Sequence, residues 1–218
     1  MDQTGMLDKL CQAVKSGDIE VSKDLTKRAL DVDVDPILLI EQGLAKGLRM
    51  VGEAFGNGDA FLTDLMFAAE AMKASMSLVE PVLLSKHKQR EFKGTVLIGT
   101  VEGDIHDIGK SIVAVTLEAH GFKISDLGAD VPNSAFVTKA GELKPDILGM
   151  SALLSTTMIQ QKAVVDELVK QQLRKKLKVI VGGAPVSSEW ATEIGSDAYG
   201  SDANEAALQA LKLVGSNA

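Results

Sequence analysis

The chain reads as an α/β protein: an N-terminal four-helix bundle over residues 1–90, then a flavodoxin-like, Rossmann-type sheet of five parallel strands over residues 91–218. Three observations predict it. The first ninety residues repeat their apolar side chains at helical spacing and carry almost no strand signal. From Lys93 onward short apolar runs alternate with helical stretches, as in a parallel sheet covered on both faces. The run Val96-Leu97-Ile98-Gly99-Thr100-Val101 is β-rich and bounded by glycines, which suits a strand buried on both faces.

In order along the chain, Leu7, Leu10, Cys11 and Val14 share a helical stripe that Gly17 stops, and Asp18 then caps a second helix through Leu25, Ala29 and Leu30. Asp35-Pro36 pairs an N-cap with a proline in the first turn, opening a helix with Ile37, Ile40, Leu44, Leu48 and Val51 on one stripe, ending near Gly56-Asn57-Gly58. A fourth helix starts near Thr63, carries Leu65, Met66, Ala69, Met72, Met76 and Val79, and is closed by Pro81 and the charged run Lys86-His87-Lys88-Gln89-Arg90. Strands follow at 95–101, about 122–127, 147–150, 178–181 and, weakly, Asp197-Ala198-Tyr199. Between and after them lie helices from Lys110 to His120, from Ala135 to Leu143, from about Thr157 to Gln172, and from Asn204 to Leu213. The chain turns on Gly103 and Gly109 before the first of these; Gly99, Gly128 and Gly149 are read as positions of close helix packing or turns.

Composition narrows the function. A net charge of -7 and no basic block longer than Arg174-Lys175-Lys176 argue against a nucleic-acid surface. No apolar run approaches the roughly 18 residues of a membrane span, and no basic segment with an apolar core opens the chain, so a cytoplasmic protein with no membrane partner is expected. The single cysteine, Cys11, fits a reducing compartment and reads as filler of a helix face.

In a doubly wound sheet, ligands bind where loops leave the carboxyl ends of the strands. Those loops are 102–109, 151–157, 182–186 and 199–203, and they are dense in Gly, Ser, Thr and Asp. His106 stands among them, two residues after Asp104. A carboxylate bonded to one imidazole nitrogen fixes the tautomer and leaves the other nitrogen to act as a ligand. No other His, Cys or paired carboxylate lies near in sequence, which disfavours a zinc site built from protein alone. A metal arriving with most of its ligands attached would need only one imidazole. Asp107 reads as the cap of the following helix more readily than as a catalytic group.

Three separated elements, Asp104-Ile105-His106-Asp107-Ile108-Gly109, Ser151-Ala152-Leu153 and Gly182-Gly183, stand in this order with 41 and 28 residues between them. In this the chain resembles the cobalamin-binding module of corrinoid proteins and of methionine synthase. The resemblance extends to Val51-Gly52-Glu53-Ala54-Phe55-Gly56-Asn57-Gly58, Phe61-Leu62 and Ala68-Ala69-Glu70-Ala71-Met72, similar to the family's helical cap. Thr63 departs from the pattern, since proline commonly follows Phe-Leu in relatives; a changed helix start with no lost chemistry is expected.

The resemblance implies a cobalamin or related cobamide, methylcobalamin in the loaded state, bound with its lower base displaced and His106 as axial ligand to cobalt. Asp104 would bond His106, and Ser151 would complete a proton relay that responds to the state of the cobalt. Gly103, Ile105, Asp107 and Gly109 belong to the same binding loop. Gly182 and Gly183 would open a slot for the nucleotide tail, lined by Ser151, Leu153, Ser155 and Thr157, with Ala203 near the tail. Phe55 and Leu62 match positions over the methyl-bearing face and Glu41 one near the corrin edge. Periodicity alone equally allows Phe55 and Leu62 to fill the bundle and Glu41 to be an ordinary exposed residue. The same resemblance implies a non-enzymatic methyl carrier of methanogenesis or one-carbon metabolism. Its partners would be a substrate-specific methyltransferase, favoured as methylamine-type, a second methyltransferase acting on coenzyme M or tetrahydrofolate, and a reductive activase. A loosely held bundle and a flexible 86–93 linker would suit such docking. The alternative is a cobalamin-dependent sensor, though no DNA-binding segment precedes the bundle in this sequence.

Overall fold

The computed structural model describes residues 3–85 and 92–215; residues 86–91, most of the expected flexible linker, lie outside the described part. The chain divides into two compact units, Met1–Glu91 and Phe92–Ala218.

In the helical unit, α1 (Gln3–Lys15) buries Leu7, Leu10, Cys11 and Val14. Burial pushes the Cys11 thiol pKa up, as befits a packing residue. Helix α2 (Ile19–Asp31) starts at Asp18, whose carboxylate accepts the Val21 N–H at 3.0 Å. Asp35 does the same for the Ile37 N–H at 2.9 Å and opens α3 (Pro36–Leu38). This helix runs through a π-helical segment, Leu39–Leu44, into α4 (Ala45–Gly56). The wider π turn was not predicted, since no residue type marks it. It adjoins a pair of glycines against which α1 packs: a Cβ on Gly43 would lie 2.8 Å from Leu10 Cδ2, and one on Gly47 2.6 Å from the Cys11 carbonyl oxygen.

Helix α5 (Leu62–Ser85) corrects two expectations. It passes through Pro81 and runs on to Ser85. Proline removes its own backbone donor and crowds the carbonyl four residues before it, and here it falls in the last turns, where little helix remains to be disturbed. The buried stripe is Leu65, Ala68, Ala71, Met72, Val79 and Leu83, and Met66 faces solvent. The helix begins one residue before Thr63, and the Asp64 carboxylate reaches back to the Phe61 N–H at 2.8 Å, half of a capping box.

The second unit contains β1 (Thr95–Thr100), α6 (Ile108–Ala119), β2 (Lys123–Asp126), α7 (Asn133–Leu143), β3 (Ile147–Ser151), α8 (Ser155–Lys170), a 3-10 turn, β4 (Lys178–Gly182), α9 (Ser188–Glu193), β5 (Ala198–Gly200) and α10 (Ala203–Gly215). All paired strands are parallel, in the order β2-β1-β3-β4-β5. This is the predicted doubly wound architecture, with its order reversing beside β1. Alternate residues of the strands feed two cores. Leu97, Leu148 and Val179 pack with Phe136, Val164 and Leu168 of α7 and α8, while Val96, Ile98, Ile147 and Ile180 pack with Leu117, Ala207 and Ala210 of α6 and α10. Gly99 makes room for the Phe136 ring, whose nearest carbons would lie 2.8 Å from an added Cβ. Gly128 occupies a turn at φ 87°, and Gly149 adjoins Ile98 of the neighbouring strand rather than a helix.

Several boundaries shift by one or two residues, and one helix was not expected. Helix α6 starts at Ile108, so Gly109 sits inside its first turn and only Gly103, at φ 80°, makes the turn. The short α9, capped by the Ser187 hydroxyl, is too brief to leave a periodic signature.

Among the described residues, the hydroxyls of Ser22 and Thr26 on α2 and Ser75 on α5 are fully buried without a hydrogen-bond partner. Replacing such a hydroxyl by a methyl of the same shape removes a desolvation cost, so Thr26→Val is expected to raise the unfolding free energy by about 1 kcal/mol. The urea midpoint of the apoprotein measures this; an unchanged or lower midpoint would mean that the hydroxyl is bonded in solution.

Candidate functional site

The site is built where β1 ends. Val101 to Asp104 form a tight turn closed by the Asp104 N–H on the Val101 carbonyl at 3.1 Å, with Gly103 in third place at φ 80°, where a type II turn requires a positive value. The turn delivers the Asp104 side chain into the interior, where it has no solvent exposure.

Five donors meet that carboxylate. Oδ1 accepts the His106 backbone N–H at 3.1 Å and pairs with His106 Nδ1 at 2.8 Å. Oδ2 accepts the Leu153 N–H at 2.7 Å, the Leu154 N–H at 3.3 Å and the Thr157 hydroxyl at 2.7 Å. Burial by itself would raise the pKa of Asp104. The hydrogen bonds from Thr157, from the His106 backbone and ring, and from Leu153 outweigh it and hold the carboxyl well below the usual carboxylate range. An ionised carboxylate only accepts, so Nδ1 carries a proton and Nε2 is the ring nitrogen left to meet a ligand. The His106 side chain is 49% exposed, while Asp104 beneath it is sealed.

The surroundings of the imidazole are apolar. Ile105 and Ile108 are 75% and 73% exposed, and Leu153 and Leu154 are also exposed. Asp107 stands at the N-cap of α6 but makes no side-chain cap bond; its backbone carbonyl accepts the Ser111 N–H at 2.8 Å. Gly109 is exposed and has open space around it.

The relay expected at Ser151 is corrected by the geometry. Ser151 ends β3, its carbonyl taking the Val101 N–H at 3.0 Å, and its hydroxyl is not among the donors to Asp104. Thr157, in the first turn of α8 and 7% exposed, supplies the hydroxyl instead. Ser155 and Leu153 are exposed at the start of α8, and Ala203 is buried at the start of α10.

The paired glycines answer first to their own chain. A Cβ on Gly183, at φ 128°, would fall 1.8 Å from the Ala152 carbonyl oxygen, and one on Gly182 2.9 Å from that of Gly200. Gln161, fully buried, holds this edge: its amide nitrogen lies 3.1 Å from both the Met150 and Gly182 carbonyls, and its oxygen accepts the Trp190 indole N–H at 3.0 Å. Sequence reasoning missed Gln161 and gave Thr157 a place in the tail slot instead of a bond to Asp104. The available signal was two polar residues on the otherwise apolar stripe of Val164, Val165 and Leu168. In the helical unit, Phe55 ends α4 half-buried, Leu62 opens α5 half-buried, and Glu41 is exposed on the π segment.

Residues 94–210 match a B12 binding domain, and residues 6–80 match a second B12 binding domain. The chain is 44% identical over 211 residues to a corrinoid protein of Desulfitobacterium hafniense (strain Y51), covering 96% of this chain and 98% of that protein. It belongs to the corrinoid protein family. It is also 44% identical to the trimethylamine corrinoid protein of Methanosarcina barkeri, over 92% of this chain and 93% of that one. Among solved structures, a chain of the methanol:cobalamin methyltransferase complex of Methanosarcina barkeri matches with a TM-score of 0.90 at 29% identity, covering 97% of this chain and 80% of that one.

A cobamide is therefore the cofactor, and the residues present fit it. Among the described residues no group of three or more His, Cys, Asp or Glu side chains could hold a metal ion. An ion at His106 must bring its other ligands along, as a corrin does, and the exposed Ile105 and Ile108 suit an apolar ring. No helix among the described residues is long and apolar enough to cross a membrane.

Asp104→Asn would put an amide where five donors converge, and is expected to destabilise the apoprotein by about 2–3 kcal/mol near neutral pH. The folded pKa of Asp104 is depressed, so its stabilisation is present above the unfolded value of about 3.9 and is lost as pH falls towards the folded one. Urea unfolding should show a constant gap between the two proteins above about pH 5 that narrows below about pH 4. Equal stability at neutral pH would mean that the bonding is not worth what the geometry suggests.

Proposed function

We propose that this corrinoid protein is a methyl carrier without catalytic activity of its own. It would accept a methyl group through a substrate-specific methyltransferase, with a methylamine-type donor favoured, and yield it to a second methyltransferase acting on coenzyme M or tetrahydrofolate. A reductive activase would serve the same chain. The observation that carries the reading is the exposed His106 imidazole, bonded at Nδ1 to a sealed, ionised Asp104 at 2.8 Å with Nε2 free to ligate. The methylamine preference is supported by the 44% identity to a trimethylamine corrinoid protein over nearly the full length of both chains. A methyltransferase partner is supported by the match to a chain of a methanol:cobalamin methyltransferase complex.

When bound, the cobamide supplies a cobalt that takes up a methyl group and releases it. The chain's own residues present and withdraw a ligand. His106 would hold the cobalt through Nε2, and a proton taken at Nε2 would release that hold. Asp104 keeps its charge throughout, because four donors besides the ring hold it. Thr157 takes the third place in the relay that sequence reasoning assigned to Ser151. In this reading residues 91–218 are the cobamide module and residues 1–90 the cap, and Phe55, Leu62 and Glu41 of the cap, and Gly182, Gly183, Ser155 and Ala203 of the module, would have roles in holding the cofactor.

His106→Ala removes one of the five donors to the buried Asp104 carboxylate and is expected to cost about 1–2 kcal/mol, with the other four still in place and the protein folded. Reconstituted with cobalamin, the variant should lose the absorption of histidine-ligated cobalt that the unsubstituted protein shows. Retention of that spectrum would mean that another group is the ligand. Methyl transfer from trimethylamine, dimethylamine, monomethylamine and methanol, each with its cognate methyltransferase, tests the donor. Activity confined to methanol would overturn the methylamine preference.

A further inference from the structure

Asp130 lies in the segment between β2 and α7, outside every motif that pointed to the site, yet it grips the turn that carries Asp104. Its carboxylate oxygen Oδ1 accepts the Gly103 N–H at 2.7 Å, and its own backbone N–H donates to the Asp104 carbonyl at 2.8 Å. The first belongs to the peptide before Gly103 and the second to the peptide after Asp104, so the two bonds bracket the Gly103-Asp104 step. One residue therefore pins the backbone before and after the atom from which the ligand-holding carboxylate projects. The next residue continues the contact: Val131 bridges Val101 in parallel, and its N–H donates to the Thr100 carbonyl at 3.0 Å.

The backbone of Asp130 bears a cost for this. Its φ is 51°, in the left-handed region that non-glycine residues seldom occupy and that Asp and Asn tolerate best. A strained residue at a turn persists when its surroundings hold it, and here both of its polar groups are committed to Gly103 and Asp104. We propose that Asp130 is a positioning residue for the axial ligand. It fixes the Gly103-Asp104 backbone, through it the Asp104 carboxylate, and through that the orientation of the His106 ring. Asp130 touches neither the imidazole nor, in this proposal, the cobalt; it acts through Asp104. The inference rests on the carrier reading in that it takes His106 as the ligand.

The test uses the full chain and two variants. Asp130→Gly relieves the positive φ and deletes the acceptor; Asp130→Asn suits the same backbone and keeps an oxygen in reach of Gly103. Each protein is reconstituted with cob(II)alamin, and nitrogen coupling from the histidine is read by electron paramagnetic resonance beside the apoprotein melting temperature and the cobalamin Kd. Asp130→Gly is expected to melt no lower than the unsubstituted protein, to lose most of the histidine coupling and to bind about tenfold or more weakly, the range seen when a residue orienting a metal ligand is removed. Asp130→Asn should retain the coupling and bind within about threefold. A Gly variant with full coupling and affinity would overturn the clamp, and an Asn variant as impaired as the Gly variant would show that the charge acts on the cofactor instead. Should Asp130→Gly fail to fold, hydrogen exchange at the Gly103 amide of the unsubstituted apoprotein decides: protection is expected, and exchange at the rate of an open loop would end the proposal. Unsubstituted protein with no histidine nitrogen on cobalt would end the carrier reading itself, whereas coupling present equally with and without Asp130 would end only the clamp.

Discussion

A carboxylate removed from water must be met by donors, and the way Asp104 is met organises this protein's α/β unit. Its five donors come from two stretches of chain, the loop after β1 and the junction between β3 and α8. They converge only because β1 and β3 are neighbours in register, Thr100 beside Ser151. Helix α8 gains from the same charge. Its N-cap is Leu154, which has no polar side chain to offer the first turn, and the Asp104 carboxylate supplies the negative group that a helix N-terminus favours. The ion thus joins strand, loop and helix before it does anything for the histidine.

The rest of the carboxyl edge is made of close approaches. Gly182 and Gly183 have no room for side chains because the carbonyls of Gly200 and Ala152 stand against them. Gly200 in turn faces Ala206 at the start of α10, 2.8 Å from where its Cβ would be. Gln161 crosses beneath, tying the Met150 carbonyl of β3 and the Gly182 carbonyl at the end of β4 to Trp190 with one amide. A buried amide with its groups satisfied rigidifies the strands it links, whereas an apolar residue there would leave two carbonyls without that donor. On the other flank Lys110, buried in the first turn of α6, is paired with Asp126 at the end of β2. The edge on which His106 stands is therefore held on both sides of β1.

Much of this was legible in the chain itself, and the exceptions have identifiable causes. Long apolar strands and capped helices announce themselves by period and punctuation, which is why β1, β3, β4 and the caps at Asp18 and Asp35 were anticipated. The motifs around His106, Ser151 and Gly182 located the edge, but a motif names residues and not the bonds among them. Ser151 ends β3 and Thr157 lies in the first turn of α8, both hydroxyl residues beside the same edge, and only the pitch of α8 decides which one reaches Asp104. Asp130 was invisible for a related reason. Its contact spans 27 residues of sequence, and its one local peculiarity, a positive φ, is a backbone property that aspartate does not advertise. The π turn and the helix beyond Pro81 show the same limit, since tertiary packing there overrides local preference.

The division between sealed and open groups bears on why a carrier would be built this way. In the carrier reading the histidine has to be given to a metal and taken back without disturbing the fold that holds it. A cluster of protein ligands would resist such exchange, because releasing one would leave the others strained about the ion. A single half-exposed imidazole avoids that cost, provided that its orientation survives when the metal lets go. Asp104 secures this, since its hydrogen bonds hold its carboxyl well below the usual carboxylate range and one of them joins it to Nδ1. The stability of the support and the lability of the ligand are thus assigned to different residues two positions apart, one buried and one exposed.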